Sequence, residues 1–594
     1  MLLDKYDEIK FYDLTNAEKR VWYNEKKFDN LPLHNIGGCI VLKDNINPFI
    51  MECAINNLIR NNDAFRIGFV EKEGVPYQYL KKYSSVNLQQ ISFSSEEKFT
   101  EWHEAFFSEP FDLYNESLYS FVLCRLSDYD YRIVLKMHHI VVDGWSFRLI
   151  VESLLRDYFA ILHGENPDNS IENLSYIQCL EKEKKYIGSE TMLRNKKYWL
   201  ERLENINPSD IVEASKLMQG KRLNFSLNEH KTRRIKEFAK EKNILLQTLF
   251  IASYYIYLNA CSGKDDIIVG IPVFNRYGRK EKKIIGMFTS TIAFRFDIEK
   301  KSNIRDFLSS MNRAFIADLR NQRYPYNLLT QDLKEKGLSV DNLFNVSINY
   351  YNWEFEKSFT ECDASLEEFY CGYQFYDMQI VIKEWDKNEL FTIFYDYKID
   401  SYSEYQINEL HRHLLDIIDY IMENCDDTIG DIPVFSAVDY EKYIVKYNST
   451  EFVYPEDKTF IELFEECVRS MPDRWAIEHD GKKYTYFELN AKADKLAYYI
   501  HNELKLTNKI VGVCTLHSIE SVIAILGVLK SGCTYLPLDD KIQEERINYI
   551  IEDSKLSLVL TNFEFRYCLD IPVLNINECY SSRCSKCQIN VQQA

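Results

Sequence analysis

The stretch IVLKMHHIVVDGWSF, Ile133–Phe147, sets His138, His139, Asp143 and Gly144 close together at the end of an apolar run. An imidazole near its ordinary pKa is largely neutral at physiological pH. It could take a proton from an amine or hydroxyl as that nucleophile attacks an acyl carbon. Asp143 could approach such a ring, or pair with an arginine and lock the loop. The lock is favoured, because a buried carboxylate needs a cationic or hydrogen-bonding partner. Two other readings compete with catalysis. The histidines could bind a metal, although no third ligand stands nearby, or they could be satisfied core residues.

The elements around them limit the choice. Tyr131–Met137 has the composition and length of a strand. Neighbouring side chains of a strand point to opposite faces, so His138 and His139 cannot both enter one cavity. One should act while the other braces the turn. Gly144 permits a bend, after which Phe147, Ile150, Leu154, Tyr158 and Ile161 trace a helical stripe that Ser146 would cap. The expected arrangement is strand, loop, helix, with a histidine at the strand exit.

The 594-residue chain is long enough for several domains, and its 46% hydrophobic content supplies large cores. Its net charge of −19 excludes an extended phosphate-backbone partner, so no nucleic acid is expected. No apolar run is long enough for a spanning helix, and the start MLLDKYDEIKFYDL has no signal-peptide core. Fifteen cysteines without repeating spacing fit free thiols and a cytoplasmic protein. Cys584 and Cys587, with Cys579 nearby, make one CxxC pair, read as incidental and not as a zinc site.

Helical and strand-like segments alternate for most of the chain, implying α/β layers. NPFIMECAINNLIRNN reads as a helix leading to a strand at Phe65–Val70, TMLRNKKYWLERLENI as a helix, and DDIIVGIPVF as a buried strand. YQINELHRHLLDIIDYIMEN is amphipathic, with Ile407, Leu410, Leu414, Ile417 and Ile421 on one face. After DDTIGDIPVFSAVD the character changes, and a new set of elements begins at KTFIELFEECV.

HHIVVDG resembles the HHxxxDG hallmark of condensation domains of nonribosomal peptide synthetases, which are similar to chloramphenicol acetyltransferase. Further motifs follow in the family's order. LTNAEKRVWYNEKKF resembles the opening motif, with Glu18 where glutamine is usual. RNNDAFRIGF resembles the next, with Arg66 at its arginine and Asn61 replacing a histidine. YIQCLEKEKKY and NKKYWLERL resemble the segment joining two lobes. IPVFNR, IIGMFTSTIAFRF (with Thr289 and Ser290 where Val-Asn is frequent), NQRYPYNLLTQDL and LFNVSINYYN complete the order. The likeness covers about residues 8 to 435.

The resemblance implies an α/β fold of two acetyltransferase-like lobes forming a V-shaped pseudo-dimer. Lobes are expected at 1–175 and 176–435, a linker at 436–455, and an α/β adenylation fragment at 456–594. It further implies that His139 is catalytic, deprotonating or orienting an acceptor amine that attacks a donor thioester. His138 would support it, Asp143 would form a structural ion pair with Arg66 or, second, Arg276, and Gly144 would offer an N–H to the oxyanion. Asn349 is a candidate for the acceptor side, against the reading of a satisfied strand-end asparagine. Cyclisation domains carry aspartates in place of the histidines, and no EGHGR-like motif of epimerisation domains occurs, so amide formation remains.

RVWYNEKKF, IIGMFTSTIAFR and QRYPYNLL are most similar to starter condensation domains, which acylate a first amino acid. Leu14 lies so near the start that no donor carrier domain is expected before it. The expected donor is an acyl-CoA or an acyl group on a separate carrier, and the acceptor an aminoacyl carrier protein of downstream modules. Phosphopantetheinyl thioesters are thus substrates, with no covalently bound cofactor and no metal. An ordinary peptidyl condensation domain with its donor carrier in trans, and a non-catalytic carrier-docking remnant, are the alternatives. KKYTYFELNAKADKLA and LGVLKSGCTYLPLDD resemble the first motifs of an adenylation domain, and the stripe Ile519, Val522, Ile523 and Leu526 reads as core. No glycine follows Gly532, so the glycine-rich loop that cradles ATP phosphates is missing and amino-acid activation is not expected.

Overall fold

The computed structural model describes residues 10–28, 30–167, 175–206, 215–338, 342–352, 364–384, 390–539, 541, 543–565 and 569–579. The chain divides into two compact units, Met1–Ile444 and Val445–Ala594. Cys584 and Cys587 lie outside the described residues.

The first unit is built on two large sheets. One has five strands in the order Ala364–Glu368, Asn35–Leu42, Asp130–His138, Tyr119–Ser127 and Gln89–Ser92. The buried helices Pro48–Asn61 and Gly144–Leu162 cover one face, closing a core that includes Ile40, Leu42, Ile133 and Leu135. Helix Glu96–Ser108 covers the other, laying Phe99 and Phe107 on Cys39, Val122 and Val134. A sheet buried on both faces reads as a continuous apolar run, which is why IVL precedes the histidines without alternation.

The second sheet has six strands in the order Ser290–Asp297, Asp266–Val273, Val346–Asn352, Met378–Glu384, Phe391–Lys398 and Gly220–Ser226. Val346–Asn352 runs parallel to both neighbours, and the remaining pairs are antiparallel. Helices Leu246–Ser262 and Glu404–Glu423 join its core. The latter buries Ile407, Leu410, Leu414, Ile417 and Ile421, the face its sequence period marks.

Four expectations change here. The region 176–435 is not one lobe: Ala364–Glu368 adds a strand to the first sheet, and Tyr176, Cys179 and Leu180 pack into the first core. The connection from 436 is folded at its start, where Ser436 caps a short turn and Arg412 reaches Asp439 at 2.6 Å. The strand read at Phe65 begins at Ile67 instead. Asp63 accepts from Arg66 and Ser175 and curls Asp63–Arg66 into a 3-10 turn. Helix Gly144–Leu162 is capped by Asp143, whose Oδ1 accepts the Ser146 N–H, and not by Ser146.

Glu18 occupies the centre of the first unit with no exposed surface. Its carboxyl accepts from the Thr15 N–H and the Gln78 amide, each at 2.7 Å. The Tyr176 hydroxyl lies 2.9 Å from Glu18 Oε1 and 3.0 Å from the Met287 carbonyl. One hydroxyl proton cannot serve two acceptors, whereas a protonated Glu18 donates to Tyr176 and frees it to donate to Met287. Burial pushes the Glu18 pKa up to about 7, against the opposing hydrogen bonds of Thr15 and Tyr176. The folded state thus binds a proton that the unfolded chain releases near the ordinary carboxyl pKa, so this contribution weakens as pH rises from about 4.5 through 7. Glu18→Gln keeps a neutral group of the same shape and is expected to remove that pH dependence. Between pH 5 and 8 the wild type should lose on the order of 1–3 kcal/mol more stability than the variant in urea unfolding.

The second unit carries a parallel sheet ordered Thr534–Pro537, Ile510–Cys514, Leu558–Thr561 and Val573–Asn575. Helix Ile519–Lys530 buries Ile519, Ile523 and Leu526 against it, with Val522 at the margin. Lys530 is buried between Glu465 and Asp494, at 2.6 and 2.8 Å.

Candidate active site

The histidine strand Asp130–His138 pairs antiparallel with Asn35–Leu42, Asn35 opposite His138. Past the strand the backbone turns, and the two imidazoles part. His138 is buried; its Nδ1 accepts the Ile140 N–H at 3.1 Å, so the proton sits on Nε2, which lies 3.3 Å from Glu25 Oε1. His139 is half-buried and faces a cavity of about 500 Å³.

The His139 Nδ1 is 2.9 Å from the Val142 carbonyl. A carbonyl only accepts, so Nδ1 carries the proton and Nε2 keeps its lone pair. Burial lowers the pKa of this ring to about 4, and the His34 and Arg20 charges add to the shift against the raising effect of Asp143. The ring is therefore neutral at physiological pH, the form a base requires.

Asp143 is the lock, and its partner is Arg276. Arg276 Nη1 donates to Oδ2 at 2.6 Å and Nη2 to Oδ1 at 3.0 Å, with both side chains almost wholly buried. Oδ2 also accepts from the Phe288 N–H, the Thr289 N–H and the Thr289 hydroxyl. Burial pushes the Asp143 pKa up, but the Arg276 charge and these hydrogen bonds outweigh it and hold the carboxyl below its ordinary range. Arg66, the first candidate on sequence, is engaged elsewhere: it pairs with Asp63 at 2.9 Å, three residues away, in the 3-10 turn. Ser146 completes the lock by donating to the Gly286 carbonyl and accepting from Gly286 N–H and Arg276. Gly286 is required here, since a Cβ would lie 2.2 Å from the Tyr176 ring.

Gly144 lines the same cavity, and a Cβ on it would meet the Tyr351 hydroxyl at 2.8 Å. Asn349, buried on the neighbouring sheet, also lines it and hydrogen-bonds Tyr351. The cavity thus takes walls from both sheets.

Two groups have no counterpart in the sequence reading. Glu25 reaches His138 across 113 residues, and its Oε1 also lies 2.9 Å from His34 Nδ1. Arg222, Asp396, Lys383 and Glu368 form a charge-matched cluster beside the cavity, binding the crossover strand to the second sheet. Only the polar residues within apolar strands (Arg222, Lys383, Asp396) hinted at it.

Among the described residues, Glu409, His413 and Asp439 come close enough to share an ion, but Arg412 already pairs with both acids. No single helix among them is long and apolar enough to cross a membrane.

Two family models match the chain: condensation domain over residues 8–444 and AMP-binding enzyme over residues 464–593. The chain belongs to the condensation-domain family, joined to part of an AMP-binding enzyme, and is homologous to nonribosomal peptide synthetases. Against a plipastatin synthase polypeptide of Bacillus subtilis (strain 168) it is 29% identical over 558 residues, 93% of this chain and 22% of that one. Surfactin synthase subunit 1 of the same organism is 28% identical, covering 93% of this chain and 16% of that one. The chain therefore spans less than about a quarter of the length of these relatives. A variant of the starter condensation domain of rhizomide synthetase, solved in complex with C8-CoA, superposes with a TM-score of 0.64 at 21% identity, covering 71% of this chain and 97% of that one. The four-domain synthetase AB3403, bound to AMP and glycine, gives a TM-score of 0.70 at 17% identity, covering 96% and 45%.

Removing Arg276 leaves the Asp143 charge buried and unpaired. Arg276→Leu is expected to cost about 3–5 kcal/mol in urea unfolding, against about 1 kcal/mol or less for Arg66→Ala.

Proposed function

We propose that this chain joins a donor acyl thioester to the α-amino group of a carrier-bound amino acid, with His139 as the proton-accepting residue. The observation that carries this reading is the neutral His139 ring, its Nδ1 proton held by Val142 and its other nitrogen free for a cavity walled by both sheets. As the amine attacks the thioester carbon, Nε2 takes its proton and the thiol leaves. Gly144 opens the following helix, so its N–H has no intrahelical acceptor, which supports assigning it to the charge that develops on the carbonyl oxygen. Asp143, Arg276 and His138 act as positioning residues, and Asn349 lines the acceptor side; Arg66 is assigned only to its own turn.

The donor we assign is a fatty acyl group on CoA or a separate carrier, making this a starter condensation domain of lipopeptide synthesis. The C8-CoA in the rhizomide relative's complex supports that choice. The substrates arrive as phosphopantetheinyl thioesters, the acceptor on a carrier protein of downstream modules, in the cytoplasm. We further assign no amino-acid activation to these residues alone, because no glycine-rich loop follows Gly532.

The test is mass spectrometry of carrier-bound products after mixing the chain with an acyl-CoA panel and aminoacyl carriers. N-acyl product is expected with the wild type, falling about 10²-fold or more in His139→Ala. Product from a peptidyl-carrier donor but from no acyl-CoA would overturn the starter assignment in favour of a peptidyl condensation domain. ATP–pyrophosphate exchange is expected at background, and exchange above it would overturn the assignment for the second unit.

A further inference from the structure

The cavity contains a second imidazole, and amide formation has more than one proton to move. An ammonium must lose one proton to become a nucleophile and another as the amide nitrogen forms. One ends on the departing sulfur and the other in solvent. A neutral imidazole accepts one proton at a time. We propose that His34, held by Glu25, is a second proton-transfer residue of this cavity, freeing the amine that His139 then serves. This rests on the condensation reading above.

Placement is the first argument. The turn Pro32–Asn35, closed by an Asn35 N–H to Pro32 carbonyl bond at 3.0 Å, leads directly into the strand opposite the histidines. Asn35 faces His138, and the His139 N–H to His34 carbonyl bond at 2.8 Å carries the pairing one step further. Residues directly opposite in such a pair send their side chains to the same face. His34 and His139 accordingly both line the cavity.

Protonation state is the second. Glu25 Oε1 lies 2.9 Å from His34 Nδ1. Burial opposes ionisation of Glu25, but the N–H groups of His138 and His34 directed at it outweigh that and hold its pKa at about 2. A carboxylate at Nδ1 keeps the proton there and leaves the lone pair on Nε2. The Glu25 contact is an ion-pair approach and not an aligned hydrogen bond, so it biases the proton toward Nδ1 by charge, while the ring itself lines the cavity. The charged groups facing His34 are Glu25 and Arg20 from helix Asn16–Lys27, His138 from the strand and His139 from the loop. Burial lowers the His34 pKa most, Glu25 opposes it, and His138 and Arg20 reinforce it, so the ring is a neutral base.

The steps then balance. His34 Nε2 takes one proton from the ammonium and releases it to water at the cavity mouth. The amine lone pair forms the C–N bond, the C–S bond breaks, and its electrons leave on sulfur. His139 takes the second nitrogen proton and delivers it to the thiolate.

The experiment follows single-turnover amide formation by the full chain from pH 6 to 9.5, using the acyl-CoA and aminoacyl carrier that react best in the panel. His34→Gln is expected to lower the saturating single-turnover rate constant by about 10²-fold at pH 7, with little change in the substrate concentration that half-saturates it. The deficit should close toward pH 9, where the α-amino group, of pKa about 8, has lost its proton unaided. Glu25→Gln should show the same trend, and added imidazole should restore His34→Ala. A His34→Gln chain as fast as the wild type, or one whose loss is equal at every pH with no imidazole rescue of His34→Ala, overturns this role alone. A wild type that makes no product, or a fully active His139→Ala, overturns the condensation reading and this inference with it.

Discussion

The arrangement depends on one buried carboxylate. Asp143 caps the helix that begins at Gly144 and, with the same two oxygens, holds Arg276 and the 288–289 backbone. Fixing that residue fixes the one before it, and the Val142 carbonyl is what keeps the His139 proton on Nδ1. The ion pair thus bears on the His139 tautomer through the backbone without touching the ring. Its cost is desolvation of two charges, offset only because nearly every lone pair of Asp143 has a donor.

Similar matching recurs at other buried charges. Glu25 answers two imidazoles, and Glu368 is held at a pKa of about 2 because the Lys383 and Arg222 charges outweigh its burial. Glu18 differs: it has hydrogen-bond donors but no cation, and burial drives its pKa up. A neighbouring cation favours the charged carboxyl but competes with burial: at Asp318 burial wins and the pKa rises despite Arg202 at 3.2 Å.

Both sheets contribute to the cavity, so the site cannot be separated from the packing that closes it. The strand Ala364–Glu368 makes this concrete: it hydrogen-bonds to the first sheet while Glu368 reaches Arg222 and Lys383 of the second. The AMP-binding unit, by contrast, has its own sheet and core.

Much was legible locally. Alternation along a strand separates His138 from His139, a period of three to four residues marks the buried face of Glu404–Glu423, and the order of motifs identifies the family. These follow from backbone geometry, which acts between near neighbours and is written in each short window. The partner of Asp143 was not, because Arg66 and Arg276 are both plausible cations by type. The choice between them was made by a turn that engages Arg66 with Asp63 and a fold that brings Arg276 across 133 residues. Glu25, His34 and the crossover strand were equally hidden. Charge pairing at a distance has no period in the sequence; it is settled only when apolar packing brings distant segments together and strips the water from between them.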